Sequence, residues 1–294
     1  MNISKDLVIG VDLGATNIRA GLVEDAKIIK YADSRVPVDS NDANTVIESL
    51  KNTIEQVFVS HVKGIGIGIP SLVDRKHGIV YDVQNIPSWK EVYLKSILEV
   101  HFKVPVFLDN DCNCFTIGER LYGQGKDYLN FVGITLGTGM GAGIINRGKL
   151  INDANCGSGE FGSIPYLNGI YEDYCSGKFF KTFHHQDGEK ASEAAKNNEP
   201  SALKAYEEFG KHLGNAIKTI MFSVDPEMVI LGGSIAKSHQ YFEKSMLEEI
   251  GKFPYPNSLK KFKVLYSSLE NLSILGAAAM FFDVTNNNLK TIPA

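Results

Sequence analysis

The sequence predicts a mixed α/β protein built from two related domains, and three observations point there. Short β-branched runs alternate with stretches of helical periodicity along the 294 residues, which calls for sheets layered with helices. One glycine-punctuated strand–turn–strand pattern occurs twice: residues 8–21 read VIGVDLGATNIRAG and residues 131–143 read FVGITLGTGMGAG. The composition, 44% hydrophobic and 22% charged, is that of an ordinary globular chain of a length that allows about two domains.

In the echo, Gly10 aligns with Gly133, Leu13 with Leu136 and Gly14 with Gly137, while Asp12 falls on Thr135. The period is far too long for a solenoid repeat, so duplication of a domain is the expectation. Further strands are expected at 64–69 (GIGIGI), 104–108 (VPVFL) and 228–231 (MVIL). Helical periodicity covers 46–57, 95–100 and 201–222. In the last of these, Leu203, Tyr206, Phe209, Leu213, Ile217 and Ile220 form one apolar stripe, with Ser201 as its expected N-cap. The polar segment 187–200 reads as a loop, residues 284–294 as a frayed tail, and Trp89 as core or lid packing.

Thirty Lys plus Arg against 34 Asp plus Glu give a net charge of −4, which offers no general basic field for nucleic acid or an anionic membrane. The uncharged stretch 128–146 is too rich in glycine to be a lipid-facing helix, and 274–282 is too short to span. With a strand starting almost at once and no signal-peptide pattern, the expectation is a soluble, cytoplasmic protein. Four cysteines, at 112, 114, 156 and 175, are too few and too oddly spaced for a disulfide framework. No histidine stands at ligand spacing from Cys112 and Cys114, so buried reduced thiols are the reading for that pair.

Several segments have the composition of a ligand site. Asp12-Leu13-Gly14-Ala15-Thr16-Asn17 sets a carboxylate at a strand end beside a small-residue turn. There, backbone N–H groups can approach an anion and Asp12 can face a hydrated divalent cation. A plain hairpin turn favours the same residues. The second turn, Gly137-Thr138-Gly139-Met140-Gly141-Ala142-Gly143, costs more entropy than a strand normally tolerates, which close approach of a phosphate explains. Two such turns on related domains, facing one another, would clamp a polyphosphate. Asn110-Asp111 ends a strand, where a carboxylate can accept a proton from a hydroxyl or where the pair can cap a following helix at 113–122. Glu160 stands among glycines, with Glu172 twelve residues on. Such carboxylates can grip vicinal hydroxyls or remain solvated loop acids. Leu231-Gly232-Gly233-Ser234 follows a strand, compatible with a nucleotide lying over the turn or with a tight turn alone.

Together the segments VDLGATNIRAGLV (11–23), GIGIGIPSLVD (64–74), VFLDNDCNCFTIGE (106–119), ITLGTGMGAGIINRGKL (134–150), GSGEFGSIPY (157–166), MVILGG (228–233) and LGAA (275–278) resemble the ROK family of bacterial sugar kinases and repressors. That family lies within the actin-like ATPase superfamily. The resemblance runs from Ile9 to about Asp283 in the family's order. It implies two actin-like (ribonuclease H-like) domains flanking a ligand cleft. The smaller would span 1–115, completed by a C-terminal helix at about 280–294, and the larger 116–279.

The resemblance also implies roles. Asp111 matches the base that takes the proton of a sugar 6-hydroxyl, with Asn85, Asn110, Glu160 and Glu172 as further sugar contacts. Asp12 would hold Mg²⁺ through water, and Gly14, Thr16, Asn17, Gly137, Thr138, Gly139, Gly232 and Gly233 would bind the nucleotide, ATP. The implied activity is ATP-dependent phosphorylation of a free hexose, glucokinase-like. Alternatives are an N-acetylmannosamine or N-acetylglucosamine kinase, a fructokinase, and a non-catalytic sugar sensor. A polymer-forming actin relative is disfavoured by the intact sugar residues. The implied partners are the hexose and ATP, with a homodimer or higher homo-oligomer and no nucleic acid or membrane. This sequence departs from the family at Ser163, where most members carry histidine, and it lacks the run of three zinc cysteines before Glu172. Cys156 and Cys175 flank that gap without filling it, so no structural zinc is expected.

Overall fold

In the computed structural model, which describes residues 6–83, 85–151, 153–154 and 156–285, the two echoed segments begin two sheets of matching design. Strands β1 (Val8–Leu13), β2 (Asn17–Glu24) and β3 (Lys27–Arg35) form an antiparallel meander. Helix α1 (Ala43–Glu55) follows, its first turn capped by the Asp42 carboxylate, which accepts the Asn44 N–H at 2.9 Å. Strand β4 (Gly64–Ile69) returns parallel to β1. A small antiparallel sheet of β5 (Leu72–Asp74), β6 (Ile79–Tyr81) and β7 (Glu91–Val92) precedes α2 (Leu94–Phe102). Then β8 (Val106–Asn110) pairs parallel with β4 and runs directly into α3 (Asp111–Leu121).

The second sheet starts with β9 (Phe131–Leu136), β10 (Met140–Asn146) and β11 (Lys149–Leu150). A hairpin, β12 (Pro165–Tyr166) and β13 (Gly169–Ile170), leads to α4 (Tyr171–Cys175), α5 (Gly177–His184), α6 (Gly188–Lys196) and α7 (Pro200–Val224). The chain continues through β14 (Met228–Gly232), α8 (Glu243–Ile250), α9 (Pro256–Leu259), β15 (Lys263–Tyr266) and α10 (Leu272–Thr285). The strand orders are β3-β2-β1-β4-β8 and β11-β10-β9-β14-β15. The register repeats too: Asp12 pairs with Gly68 between β1 and β4, and Thr135 with Gly232 between β9 and β14. The echo is thus a duplicated sheet. Two compact units result. One holds the described residues within Met1–Asp127, Ile145–Ser158 and Ser268–Ala294, and the other holds Tyr128–Ile144 and Gly159–Ser267.

Strand β4 shows how period two positions a site. Ile65, Ile67 and Ile69 point into a core that includes Val11, Leu13, Leu50, Ile54, Leu98 and Leu108. Its glycines point the other way, beneath α10 and α3. A Cβ on Gly66 would lie 1.8 Å from the Ala277 carbonyl oxygen, and one on Gly10 1.9 Å from that of Ile274. Helix backbone therefore rests directly on the sheet. Residues 274–282 of helix α10 carry no polar side chain, as suits a helix packed against both a sheet and α3.

Four expectations need correction. Residues 187–200 are not a loop: α6 forms there because Ala191, Ala194 and Ala195 make a buried stripe, whose low hydrophobicity hid behind charged neighbours. Ser201 does not cap α7. Glu199 is the capping residue, because Pro200 with its fixed φ takes the first helical position. The terminal helix starts at Leu272 rather than near 280 and still includes residues 284–285 of the expected tail. The remainder of that tail, 286–294, lies outside the described residues. Glu172 sits on α4 rather than in a loop. Trp89 is a core residue, fully buried, with its indole N–H donating to the Ala43 carbonyl at 3.2 Å. Among the described residues, no helix is long and apolar enough to cross a membrane.

Replacing Gly66 by Ala is expected to cost about 3 kcal/mol or more, because the clash is with helix backbone. Gly188→Ala, where a Cβ meets nothing within 4 Å, should stay within about 0.5 kcal/mol of the parent. Urea denaturation of the two variants checks the contrast.

Candidate functional site

In the first unit, a row of paired residues crosses the ends of four strands. Arg19 of β2 lies opposite Asp12 of β1, Asp12 opposite Gly68 of β4, and Gly68 opposite Asp109 of β8. Asp12 is buried at 5% exposure and is ion-paired to the half-exposed Arg19 guanidinium. Burial pushes its carboxyl up, and Arg19 opposes the rise by attraction and hydrogen bonding. After Leu13 the turn is closed by the Gly14 N–H donating to the Asn17 carbonyl at 2.9 Å. Ala15, Thr16 and Asn17 are exposed at its tip.

The β8–α3 junction combines both roles that the sequence allows. Asn110 caps α3, its Oδ1 accepting the Cys112 N–H at 2.9 Å, while its Nδ2 donates to the Ser71 carbonyl at 3.4 Å. Asp111 is the first residue of the helix, and one of its oxygens also accepts the Cys112 N–H, at 2.9 Å. Although part of the residue's surface stays open, its carboxyl is pushed up to about 6, first by burial and then by the charge of Asp12. Gly68 makes room for this arrangement, since a Cβ there would lie 3.3 Å from Asp111 Cα. Asn85 is exposed in a neighbouring turn that the Ile86 N–H closes onto the Val83 carbonyl at 3.0 Å.

Asp12 and Asp111 are hard oxygen donors, the charge of Asp12 raising the Asp111 carboxyl, with Arg19 as the resident countercharge of Asp12. That donor set fits Mg²⁺, which binds through one or two carboxylates plus substrate phosphates. Among the described residues, no group of three or more His, Cys, Asp or Glu is arranged to hold a metal. All four cysteines are buried and none is in a disulfide.

In the second unit, the turn Gly137-Thr138-Gly139 is held by its neighbours. Gly137 N–H donates to the Gly139 carbonyl at 3.0 Å, and Gly177 N–H, at the start of α5, donates to the Gly137 carbonyl at 2.7 Å. Glu172 ties the same turn to α4: its Oε2 accepts the Met140 N–H at 3.0 Å and its Oε1 accepts from Lys178 Nζ at 2.6 Å. A side chain at Gly139 would place its Cβ 2.5 Å from Glu172 Oε2, so glycine is required for that carboxylate to reach Met140. Glu160 retains an exposed surface, yet partial burial and then the charge of Glu172 raise its carboxyl. Gly232 ends β14 and is buried, and Gly233 follows exposed with φ +87°.

Between Ser163 and Glu172, the chain forms the β12–β13 hairpin, packed by aromatic rings. Tyr166 stacks on Tyr171 with centroids 4.3 Å apart and meets Tyr174 edge-on at 5.3 Å, and its hydroxyl lies 3.1 Å from His212 Nδ1. The Ile170 N–H donates to Asp173 Oδ2 at 3.1 Å.

Sequence reasoning missed the partners of these residues. Arg19 was within reach, because a short turn after Asp12 fixes the cross-strand register. Lys178 carried no local signal, since its contact with Glu172 depends on how α4 and α5 pack.

The chain matches the model of the ROK family over residues 8–284. It is 30% identical to the glucokinase of Thermotoga maritima over 306 residues, covering 93% of this chain and 96% of that one. It is 28% identical to the xylose repressor of Bacillus spizizenii, over 94% of this chain and 77% of the repressor. Among solved structures, a ROK family glucokinase from Streptomyces griseus in complex with glucose and AMPPNP matches with a TM-score of 0.79 at 26% identity, over 93% of this chain and 98% of that one. The two-domain actin-like fold expected from the motifs is therefore the fold of this chain.

The elevated carboxyl of Asp111 has a consequence for stability. Folding favours its protonated form, so the parent loses stability as pH rises from the ordinary carboxylate range through about 6. Asp111→Asn mimics the protonated form and is expected to be more stable by about 1–3 kcal/mol at about pH 7.5. Guanidinium titrations should show the gain disappearing below about pH 4. A gain that grows as pH falls would contradict the assignment.

Proposed function

The chain belongs to the ROK family, and from that membership we propose that it is an ATP-dependent sugar kinase transferring the γ-phosphoryl group to the 6-hydroxyl of a free hexose, as a glucokinase does. The observation that carries the reading is Asp111: a carboxyl raised to about 6 at the start of a helix, beside a second carboxylate at a strand end. Such a group is ionised at neutral pH yet basic enough to take a hydroxyl proton.

In the proposed reaction, Asp111 accepts the 6-hydroxyl proton as the sugar oxygen bonds to the γ-phosphorus. The bond from that phosphorus to the bridging oxygen breaks, and ADP leaves. Asn110, Asn85, Glu160 and Glu172 would orient the sugar through its hydroxyls, each carboxylate accepting more than one hydrogen bond. The small-residue turn that carries Gly14, Thr16 and Asn17 in one unit would receive phosphate oxygens. Gly137, Thr138 and Gly139, with Gly232 and Gly233, would do so in the other. Asp12 would hold Mg²⁺ through water, and Mg²⁺ when bound supplies neutralisation of phosphate charge. Arg19 opposes the rise that burial imposes on the Asp12 carboxyl.

The sugar is the open part of the assignment. Ser163 stands where the resembling sequences place histidine, and it hydrogen-bonds the Glu160 carboxyl. That change at a sugar contact supports including N-acetylhexosamines and fructose beside glucose.

The test is ADP release from Mg-ATP across a panel of hexoses and N-acetylhexosamines. One sugar is expected to give turnover that Asp111→Ala lowers by about a thousandfold. If no sugar releases ADP while calorimetry still detects sugar binding, the kinase reading fails and a sugar sensor replaces it.

A further inference from the structure

Next to the Asn110–Asp111 junction lies a buried charge network that the proposed reaction does not use. Arg75 opens the turn between β5 and β6 and sets a fork onto Asp109: Nε donates to Oδ2 at 2.8 Å and Nη2 to Oδ1 at 3.0 Å. Its third nitrogen, Nη1, donates to Asp153 Oδ1 at 2.8 Å. Asp109 is 4% exposed. Its Oδ1 also accepts the Asn110 N–H at 2.7 Å and Asn113 Nδ2 at 2.8 Å. Asp153 in turn accepts the Cys156 N–H at 3.0 Å and the Ser158 N–H at 2.6 Å.

One oxygen thus gathers three donors: the guanidinium, the backbone of Asn110, and the first turn of α3. Four groups then share one geometry, because the planar fork fixes the carboxylate plane, and the carboxylate fixes the backbone that presents Asn110 and Asp111. A buried charge cluster is a poor way to gain stability, since well-packed apolar side chains do at least as well. What this cluster supplies is orientation. A lysine would keep the charge but could not bridge both oxygens of Asp109 while reaching Asp153.

We propose that Arg75 is a positioning residue for phosphoryl transfer: through Asp109 it locks the β8–α3 junction, so that the Asp111 carboxyl and the Asn110 side chain are held in register with the sugar. The role of Asp111 in this statement rests on the kinase reading. The locking itself does not.

The test compares the full-length parent with Arg75→Lys in two measurements. In kinetics, kcat is expected to fall about tenfold or more with the KM for ATP within about twofold of the parent. In hydrogen–deuterium exchange, amides of residues 110–113 should exchange about tenfold faster while those of α1 keep the parent rate. Should Arg75→Lys fail to fold, the double variant Arg75→Met with Asp109→Asn removes both charges of the fork. A parent-like melting temperature with lost kcat then supports the proposal. Values of kcat and of 110–113 exchange within about twofold of the parent, in whichever variant folds, overturn it. If the parent phosphorylates no sugar, the kinase reading fails separately, and the exchange measurement still decides whether Arg75 locks the junction.

Discussion

The contact on which the candidate chemistry depends is the bare glycine face of β4. Because Gly66 and Gly68 have no side chains, α10 and α3 lie with their backbones against the sheet, and a Cβ on Gly68 would already crowd Asp111 Cα at 3.3 Å. That proximity starts α3 at the strand tips, on the face that Asp12 shares with Gly68 through their register. The elevated carboxyl of Asp111 follows from the same packing, since burial and the charge of Asp12 both derive from it. A larger residue at Gly68 would have to displace the start of α3, where Asp111 Cα lies within 3.3 Å of the Cβ position.

The duplicated sheets show how one scaffold can be divided between tasks. Their registers correspond residue for residue, yet the strand end that carries Asp12 in the first sheet carries Thr135 in the second. The carboxylates of the second unit come instead from Glu160 and Glu172, the latter braced by Met140 N–H and Lys178. Where the resembling sequences have a cysteine run, this chain stacks Tyr166 on Tyr171 and ties Ile170 to Asp173. Ring packing and one charge-assisted hydrogen bond from backbone to carboxylate add to the strand pairing of the short hairpin.

Much of the fold was legible in the sequence because its signals are local. The period-two GIGIGI run, the turn residues after Asp12, and the apolar stripe from Tyr206 to Ile220 each report on their own neighbourhood. Asp12, Asn110 and Asp111 could be singled out as strand-end polar residues, and the structure brings them onto one edge. Alanine at 191, 194 and 195 gave too little contrast to announce a helix, and Pro200 moved a cap that Ser201 had suggested. The Arg75 fork was invisible for a different reason. Its carboxylates lie 34 and 78 residues away in the chain, and nothing in the spacing of charges says which of the 34 acids the arginine will meet.

The central claim is that Asp111 acts as the base with a carboxyl near 6. The most direct measurement is the pH dependence of kcat/KM for the accepted sugar at saturating Mg-ATP, from about pH 4.5 to 8. The account predicts a plateau above neutrality and a fall of about tenfold per unit below about pH 6. A rate that stays flat down to about pH 4.5 would contradict it, because no base of that strength would then be controlling the transfer.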